Sequence, residues 1–503
     1  MTYRLFPIFV SLTSLFGMLS CSSSNQDSAK EAPSPPNIVF LFADDMTYTA
    51  IQALGNEEVA TPNLDKLVRN GTTFTHAYNM GGWNGAVCIA SRSMMISGRS
   101  LWRANQFQQK WQQNDSLALA QTWGQLMDQV GYNTYMTGKW HIAAHPDSVF
   151  QIVRHVRPGM PNDFRGEGSF DSPETMPLGY NRPKNEQDQS WLPYDTAMGG
   201  FWEGGQHWSE VLRDDALDFL DSATARPDPF FMYLAFNAPH DPRQSPKEFL
   251  DRYPLDSISL PESWMPRYPY EEDAGLGPKL RDEALAPFPR TEYATKVHMQ
   301  EYYAIITHLD EQIGKILDAL EASGKMDNTY IFFSADHGLS VGRHGLLGKQ
   351  NMYDHSIRIP LIVVGPDIPA NQEVSIDVYL QDIMATSLEL ADIEKPGYVE
   401  FNSFLDLAQG NTSEGAYDAI YGSYINYQRM IRKDGMKLIV YPNTNQVLLY
   451  NLEDDPKEIN NLADNPAYAE QVVSLFQDLQ ILQQQYADTL DLESIYNQFQ
   501  TQL

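Results

Sequence analysis

The fold is constrained most by short, continuous runs of apolar residues that alternate with helical patterns along the chain. The first run is 37–43, and similar runs follow at 229–236, 329–334 and 360–364. Runs of this composition are typical of strands buried on both faces of a parallel sheet. Helical patterns lie between them, and the longest spans residues 292–323. The alternation predicts an α/β fold in which helices sandwich a large mixed, mostly parallel sheet.

Capping residues mark one of the shorter helices. Thr61 stands at the N-cap position, Pro62 at the first helical position and Gly71 after the last, which predicts a helix over 61–71.

Two long segments are rich in turn-forming residues and show little periodicity, so they predict loops, where specificity often resides. These loops are 145–205 and 241–290, and the remaining predicted elements are helices at 117–130, 208–223 and 377–391 and a strand at 133–137.

The pattern changes after residue 404. Strand-like runs separated by turn signals are followed by a Gln- and Leu-rich helical pattern at 466–487. This predicts a smaller C-terminal antiparallel sheet plus a helix. We therefore divide the folded chain into an α/β domain, 37–404, and a C-terminal subdomain, 405–503. The short strands of that subdomain are expected at 419–424, 428–432, 437–441 and 446–450.

The N-terminus resembles an export signal. Arg4 precedes an apolar run of about 15 residues, which is too short for a comfortable membrane span. Leu19-Ser20-Cys21 resembles a bacterial lipobox. We expect a signal peptide over 1–21, a flexible tether over 22–36 and a protein exported to the periplasm or held at the outer membrane as a lipoprotein. Cleavage nearby without a lipid is the alternative.

Charge and cysteine content restrict the partners. The formal net charge of −30 argues against nucleic acid and anionic membrane surfaces as partners, so membrane contact is expected only through a lipid anchor. An anionic substrate would have to be held by a local cluster of cations, because salt screens the overall field beyond about 10 Å. Cys21 and Cys88 are the two cysteines of the sequence, and they indicate no disulfide framework.

Acidic residues follow two of the predicted strands. Asp44 and Asp45 come directly after the run 37–43, and Asp336 and His337 come directly after the run 329–334 and one alanine. Strand ends in α/β sheets are where ligands bind, so these side chains can converge on one divalent cation. Solvated loop carboxylates are the alternative reading. The imidazole leaves the metal open, because it also suits manganese or zinc.

The segment 85–98 places a cysteine and an arginine on one short helix. Cys88 would lie in the first turn, where free backbone N–H groups and the helix dipole favour negative charge. Arg92 lies four positions on, on the same face, and can hold an anion beside Cys88. A buried structural cysteine next to a surface arginine is the alternative.

These stretches together resemble the type I sulfatases of the alkaline phosphatase superfamily. Cys88-Ile-Ala-Ser-Arg92 matches the maturation motif Cys-x-(Pro/Ala)-x-Arg, and the segment 131–141 resembles the second sulfatase signature. The segment 449–456 with Asn461-Leu462 resembles the C-terminal signature. The resemblance extends from Asn37 to about Leu462 and implies an alkaline phosphatase-like fold.

The resemblance implies a covalent modification and a metal. In the family, a maturation enzyme oxidises the cysteine to formylglycine (3-oxoalanine), whose hydrated aldehyde is the nucleophile. Ala90 at the third motif position fits the radical maturation route of bacterial members better than the aerobic route, and the choice stays open. One calcium ion is implied, with residue 88 completing its shell. The other implied metal ligands are Asp44, Asp45, Asp336 and His337.

The resemblance also assigns roles around the sulfate group. Lys139 and Lys349 would bind sulfate, and His141 would orient or deprotonate the formylglycine hydroxyl. His240 would contact the ester, and either His240 or Lys349 would protonate the leaving group. For His344, on the same loop as Lys349, substrate contact and loop packing are equally open. The full catalytic set is Cys88, Arg92, Lys139, His141, His240 and Lys349, and the substrate-binding set is Lys139, His240, His344 and Lys349.

We therefore expect a sulfatase that hydrolyses sulfate esters of a sulfated polysaccharide or oligosaccharide. Marine algal glycans such as ulvan and host glycosaminoglycans both fit, and the acidic composition favours the former. A phosphodiesterase or phosphonate monoester hydrolase of the same superfamily is the enzymatic alternative. The non-enzymatic alternative is a glycan-binding lipoprotein without catalytic activity. In such a protein, some of the expected site residues would be missing.

Overall fold

The computed structural model describes residues 35–161, 183–188 and 190–500, together with residues 1–3, 5, 7 and 8. The expected signal peptide with its lipobox and nearly all of the tether lie outside the described residues, as does part of the loop 145–205. Among the residues described, no helix is long and apolar enough to cross a bilayer.

The predicted strands and helices are present with small changes in their bounds. The strands are β1 Asn37–Ala43, β2 Thr72–Tyr78, β3 Gly81–Gly82, β4 Asn133–Lys139, β5 Ile152–Arg157, β6 Trp202–Glu203, β7 Gln206–His207, β8 Phe230–Ala235, β9 Thr329–Ala335, β10 Arg358–Val364, β11 Gln372–Val374, β12 Val378–Tyr379, β13 Ile420–Tyr424, β14 Gln428–Lys433, β15 Met436–Tyr441 and β16 Gln446–Asn451. The α-helices are α1 Pro62–Asn70, α2 Val87–Ser97, α3 Leu101–Gln112, α4 Ser116–Leu119, α5 Trp123–Gln129, α6 Trp208–Thr224, α7 Lys247–Leu250, α8 Glu292–Ala322, α9 Asp354–Ile357, α10 Asp382–Leu390, α11 Leu405–Ala408, α12 Ala469–Gln485 and α13 Glu493–Gln500.

The large sheet is mixed and mostly parallel, which confirms the predicted fold class. Its strand order is β11-β2-β10-β9-β1-β8-β4-β5, with β12 also beside β2. The pairs from β9 to β5 are parallel, whereas β10 runs antiparallel to β9 and β2. Every residue of β1 is buried, as its continuous apolar composition requires. Helices α1, α6 and α7 pack on α8, while α2 contacts α3, α5 and α10.

The smaller sheet confirms the predicted C-terminal meander and adds one strand that the sequence did not predict. Its order is β16-β15-β14-β13-β3, antiparallel except where β3 joins β13 in parallel. Gly81 in β3 has a φ of +85°, and a Cβ there would lie 2.1 Å from the carbonyl oxygen of Ser423. Only glycine fits this close approach. The C-terminal sheet thus holds the chain just before the segment 85–98.

Two predicted helices differ from the structure in detail, and some elements were not predicted. The helix predicted over 117–130 is interrupted and forms α4 and α5. The helix predicted over 377–391 begins later, at Asp382, because β12 occupies its first residues. Strands β2 and β5 and helix α3 were not predicted. Strand β2 lies inside the sheet, but its threonines and its histidine interrupt the apolar pattern from which the other strands were predicted.

The N-terminus of α1 is capped by a distant side chain rather than by Thr61. The Thr61 hydroxyl donates to Asp65 Oδ1 at 3.0 Å and accepts from the Gln52 N–H, so it makes no bond to the first helical N–H groups. Asp310 of α8 replaces it and accepts from the N–H groups of Leu64 at 2.7 Å and Asn63 at 3.1 Å. This carboxylate therefore joins α1 to α8.

We expect Asp310→Ala to lower the free energy of unfolding by about 2 kcal/mol or more, because two N–H groups at a buried helix end lose their acceptor. Asp318→Ala, at an exposed position of the same helix, is the matched control and should change stability by less than about 0.5 kcal/mol. Urea unfolding followed by circular dichroism measures both. Equal midpoints for the two variants would contradict this account of the cap.

Candidate active site

The acidic residues after β1 and β9 meet because the two strands are parallel neighbours. Ala43 lies opposite Ala335, so the next residues, Asp44 and Asp336, leave the sheet side by side. The backbone N–H of Asp45 donates to Asp336 Oδ1 at 3.1 Å, with Asp45 in the left-handed region at a φ of +67°. All three carboxylates are buried. The predicted convergence of the two strand ends is confirmed.

Cys88 faces this carboxylate cluster from the first turn of α2. Its Sγ lies 3.4 Å from Asp44 Oδ1 and 3.7 Å from Asp45 Oδ1. One potential ligand atom from each of these three residues and from Asp336 lies within 4.8 Å of the others. The thiol is buried, and burial followed by the repulsion of Asp336 and Asp44 raises its pKa well above the ordinary value.

Arg92 joins α2 to both strand ends. Its Nε donates to Asp336 Oδ2 at 2.9 Å, its Nη1 donates to the Lys139 carbonyl at 3.0 Å, and its Nη2 lies 3.8 Å from Asp44 Oδ1. The guanidinium is completely buried and lies 4.6 Å from the centroid of the Phe42 ring. Burial alone would raise the pKa of Asp336, but Arg92 and the two nearby lysines hold it well below its usual range. Arg92 is thus a buried ion-pair partner, and the alternative of a surface arginine next to a structural cysteine is wrong.

Two buried lysines complete the charge balance. Lys139, the last residue of β4, forms an ion pair with Asp44. Lys349 Nζ lies 2.5 Å from both carboxylate oxygens of Asp45 and 2.8 Å from Cys88 Sγ. Although burial lowers the pKa of Lys349, Asp45 and the groups around it raise it well above its ordinary value. The structure therefore brings both predicted sulfate-binding lysines to the side chain of residue 88 or its carboxylate neighbours.

His240 also borders this cluster. Its Nε2 lies 3.5 Å from Asp45 Oδ2, and its Nδ1 lies 2.6 Å from the Asp241 carbonyl oxygen. Burial outweighs the attraction of Asp241 and lowers the pKa of His240 well below its usual range. Arg281 pairs with the Asp241 carboxylate and so fixes the loop that carries the histidine. A neutral His240 that donates from Nδ1 to the carbonyl keeps Nε2 as an acceptor.

His141 lies beyond the end of β4 in a strained backbone conformation, with a φ of +59°. Its ring packs on Gly159, where a Cβ would come within 2.2 Å of the imidazole. Its Nδ1 is buried and has no hydrogen-bond partner in the described part of the chain. Burial, helped by Lys139 and Arg92, lowers the pKa of His141 to about 2. No bond to Cys88 is formed, so the predicted proton-transfer role stays a prediction.

The two remaining predicted histidines lie outside the cluster of ligand atoms. His337 follows Asp336, but its Nδ1 faces the Ser356 carbonyl at 3.3 Å and its ring is not among the converging ligand atoms. His344 stacks on Tyr353 with centroids 4.0 Å apart, and its Nε2 lies 3.0 Å from the Glu458 carbonyl. These two contacts pack His344 within its loop, and its predicted contact with substrate stays a prediction.

The arrangement fits a divalent cation. Burial, followed by the neighbouring carboxylate of Asp336, raises the pKa of Asp44 to about 6, and burial raises that of Asp45 well above its ordinary value. A group of desolvated carboxylates is stabilised by positive charge, and oxygen donors are the ligands that Ca²⁺ and Mg²⁺ prefer. The residues that would hold such an ion are Asp44, Asp45, Asp336 and residue 88.

Two supporting residues were missed by the sequence reasoning. Asn79 Nδ2 donates to Ser91 Oγ at 2.7 Å and to the Asp336 carbonyl at 2.8 Å, so it joins α2 to the end of β9. Gln350 Nε2 donates to the Gly85 carbonyl at 2.9 Å, and its Oε1 accepts from the Lys349 N–H. Gln350 could have been noticed as the neighbour of Lys349, whereas Asn79 follows the unpredicted strand β2 and carries no local signal.

Models of two known protein families match most of the chain. The Sulfatase family model matches residues 36–393, and the model of the C-terminal region of N-sulphoglucosamine sulphohydrolase matches residues 342–485. A sulfatase of Formosa agariphila is 27% identical and covers 91% of this chain and 89% of its own length. The N-acetylglucosamine-6-O-sulfatase of Bacteroides thetaiotaomicron is 26% identical, with 94% of this chain and 89% of that protein covered.

Solved structures share the fold. A protein solved with its substrate D-glucosamine-2-N,6-O-disulfate superposes with a TM-score of 0.70 at 23% identity, covering 92% of this chain and 100% of that one. The phosphonate monoester hydrolase of Agrobacterium radiobacter superposes with a TM-score of 0.68 at 19% identity, covering 90% and 96%. These likenesses show that the chain shares the fold of both proteins.

We expect Arg92→Ala to lower the free energy of unfolding by about 3–5 kcal/mol, because buried carboxylates lose their guanidinium partner. Arg92→Lys should lose less, since it keeps the charge but not both hydrogen bonds. The exposed Arg69→Ala is the control, with a change of less than about 0.5 kcal/mol. Urea unfolding measures all three, and an Arg92→Ala variant as stable as the control would contradict the role of this ion pair.

The match of the family model agrees with what the residues build. A helix N-terminus with a cysteine and an arginine lies against carboxylates from two strand ends, with two lysines beside them. The family model covers more than half of the chain. The chain therefore belongs to the sulfatase family and is a sulfuric ester hydrolase.

Proposed function

We propose that this sulfatase hydrolyses sulfate esters of a sulfated carbohydrate, either a polysaccharide or an oligosaccharide. The observation that carries the proposal is the contact of residue 88 with two carboxylates and with Lys349 Nζ at 2.8 Å. Relatives with carbohydrate activity support the substrate class. They include the N-acetylglucosamine-6-O-sulfatase of Bacteroides thetaiotaomicron and an ulvan-active sulfatase of Formosa agariphila, which is 25% identical over 91% of this chain.

The proposal includes conversion of Cys88 to formylglycine by a maturation enzyme. When formed, the hydrated aldehyde supplies the oxygen nucleophile that a buried thiol with a raised pKa does not. Sulfate esters are weak electrophiles shielded by their oxygens, so they react only where positive charge surrounds them. Lys139, Lys349 and Arg92 provide fixed positive charge within this cluster before a substrate arrives.

Calcium is the proposed metal, held by Asp44, Asp45, Asp336 and an oxygen of the modified residue 88. Bound there, it would add positive charge against the sulfate oxygens. His337 was expected as a further ligand. Its Nδ1 faces the Ser356 carbonyl, and its buried Nε2 has no hydrogen-bond partner among the described residues, so Nε2 is the nitrogen left for a metal. The oxygen-rich set favours calcium over zinc.

The leaving oxygen needs a proton, and the contacts favour Lys349 as its source. Burial holds the pKa of His240 well below its usual range, and its Nδ1 faces a carbonyl oxygen at 2.6 Å, which favours a neutral ring whose Nε2 accepts a hydrogen bond. Lys349 carries donor protons beside residue 88. The net reaction breaks the sulfur–oxygen ester bond with one water and releases an alcohol, sulfate and one proton. Lys349 gives its proton to the leaving oxygen and regains one of the two protons of the water that is consumed, and the other is released.

The proposed site of action is outside the cytoplasm. The apolar run before Leu19-Ser20-Cys21 supports export, and the cysteine supports a lipid anchor at the periplasmic face of a bacterial membrane. Sulfated polysaccharides are too large to enter the cell intact, so an exported enzyme meets them where they are degraded.

We expect protein produced with a formylglycine-generating enzyme to hydrolyse p-nitrophenyl sulfate faster than p-nitrophenyl phosphodiesters or phenylphosphonate esters. Cys88→Ala should lose about 10³-fold or more of that activity, because the nucleophile is removed. Mass spectrometry of the peptide that carries residue 88 should show –CHO in place of –CH₂SH. A preference for the phosphorus esters would instead indicate the phosphonate monoester hydrolase alternative, whose fold this chain shares.

We expect Ca²⁺ to raise the thermal stability of the protein and chelation by EDTA to lower it. Ligand present at about 100-fold over its Kd stabilises a folded protein by about 2.7 kcal/mol. Asp44→Asn should abolish this dependence, whereas the exposed Asp256→Asn should keep it. Differential scanning calorimetry with and without Ca²⁺ measures the shift. If protein with formylglycine at residue 88 has the same melting temperature with and without Ca²⁺, the metal assignment is contradicted.

A further inference from the structure

We propose that a groove beside the segment 85–98 binds uncharged sugar units that adjoin the sulfated unit of a glycan chain. We call it the indole groove and define it by six residues. Its volume is about 400 Å³, within the range of about 300–1,000 Å³ that is common for small-ligand sites. The inference rests on the proposed function, because it names a second part of the same substrate. The defining residues are Trp83, Trp102, Asn105, Gln106, Asn426 and Arg429.

Trp102 forms a fixed platform in this groove. Its Nε1 donates to Tyr421 Oη at 3.2 Å, and the Arg429 guanidinium carbon lies 5.3 Å from its ring centroid. Asp488 holds both partners, accepting from Arg429 Nε at 2.6 Å and Nη2 at 2.9 Å and from Tyr421 Oη at 2.9 Å. The indole is only half-buried although its orientation is set by these bonds. A ring held in advance loses little entropy when a ligand stacks on it.

Trp83 connects the groove to the nucleophile. It follows β3 and is half-buried, and it precedes Cys88 by five residues. Five residues span at most about 18 Å, so the groove begins within a short distance of the reacting group. Asn84 lies next to Trp83, and its Oδ1 is buried without a hydrogen-bond partner among the described residues. The loop 83–88 thus joins the aromatic surface of the groove to residue 88 through five residues of chain.

The rim of the groove offers uncommitted amides. Asn105 is half-buried and Gln106 and Asn426 are exposed, and within the described ranges these side chains make no hydrogen bond to protein. Each amide has both donors and an acceptor, the combination that pairs with a sugar hydroxyl. The guanidinium of Arg429 is balanced by Asp488, so the groove carries no net positive charge for a second sulfate.

These features match the two kinds of surface that a sugar ring presents. Its C–H faces are apolar and stack on an indole, while its hydroxyls point outward from the ring edge toward hydrogen-bonding groups. Arg92, Lys139 and Lys349, together with the proposed calcium ion, would give the site around residue 88 the positive charge that suits the sulfate, and the neutral indole groove is suited to the sugar beside it. A single substrate that spans both is a chain of at least two sugar units.

The test compares substrates that do and do not reach the groove. The probes are p-nitrophenyl sulfate and a panel of sulfated monosaccharides with their matching oligosaccharides, including those from ulvan. For Trp102→Ala and Gln106→Ala, we expect kcat/KM for the oligosaccharide, relative to kcat/KM for p-nitrophenyl sulfate, to fall about tenfold, or about 1.4 kcal/mol. The change should appear mainly in KM. Gln109→Ala, an exposed position on the same helix outside the groove, is the matched control.

Gln106→Ala keeps the test decisive if Trp102→Ala fails to fold, because Gln106 is exposed. The inference is overturned if the groove variants match the control, or if wild-type protein prefers no oligosaccharide over its sulfated monosaccharide. It is also overturned if p-nitrophenyl sulfate is hydrolysed but no glycan in the panel is. These results leave the sulfatase activity intact, whereas failure on p-nitrophenyl sulfate as well as on every glycan would defeat the proposed function itself.

Discussion

Three carboxylates and three cations are buried together where β1 and β9 end, and the arrangement of the site depends on their balance. Burying any one of these charges alone is costly, and removing one partner from a buried pair leaves the other uncompensated. Arg92 is central, because it contacts Asp336 from α2 and the Lys139 carbonyl at the end of β4. One side chain thereby fixes the N-terminal half of α2 against two strands of the sheet. Cys88 is positioned by that same contact.

The charges that stabilise the site also prepare it for chemistry. Lys349 contacts both Asp45 and Cys88, so the lysine that neutralises a carboxylate also lies beside the side chain of residue 88, the proposed nucleophile. A cation bound by the carboxylates would compete with the lysines for Asp44 and Asp45, and a freed lysine is available to a sulfate oxygen. Under the proposed metal binding, these ion pairs would therefore change partners when the cation binds.

Local sequence patterns predicted the strands that consist of continuous apolar residues. They also predicted that aspartates follow the ends of β1 and β9. Asp44 and Asp336 could be predicted to meet because parallel strands end at one edge of a sheet. Contacts between distant segments could not be predicted. Asp310 caps a helix that begins 248 positions earlier in the chain, at Pro62, and Asn79 follows a strand whose threonines obscured it. His344 shows the same limit, since its partner Glu458 lies in the C-terminal part of the chain.

The strongly acidic surface and the buried cations act at different ranges. With a net charge of −30, the protein repels an anionic glycan at long distance, and salt confines that repulsion to about 8–10 Å. Inside that distance, Arg92, Lys139 and Lys349 offset the three carboxylates, and the proposed cation would add the net positive charge that a sulfate group needs. Recognition of uncharged sugar by the indole groove adds affinity that the overall field does not oppose, because stacking and amide hydrogen bonds are insensitive to net charge. A neutral subsite next to a cationic one is therefore a physically consistent way for an acidic protein to hold a polyanionic chain.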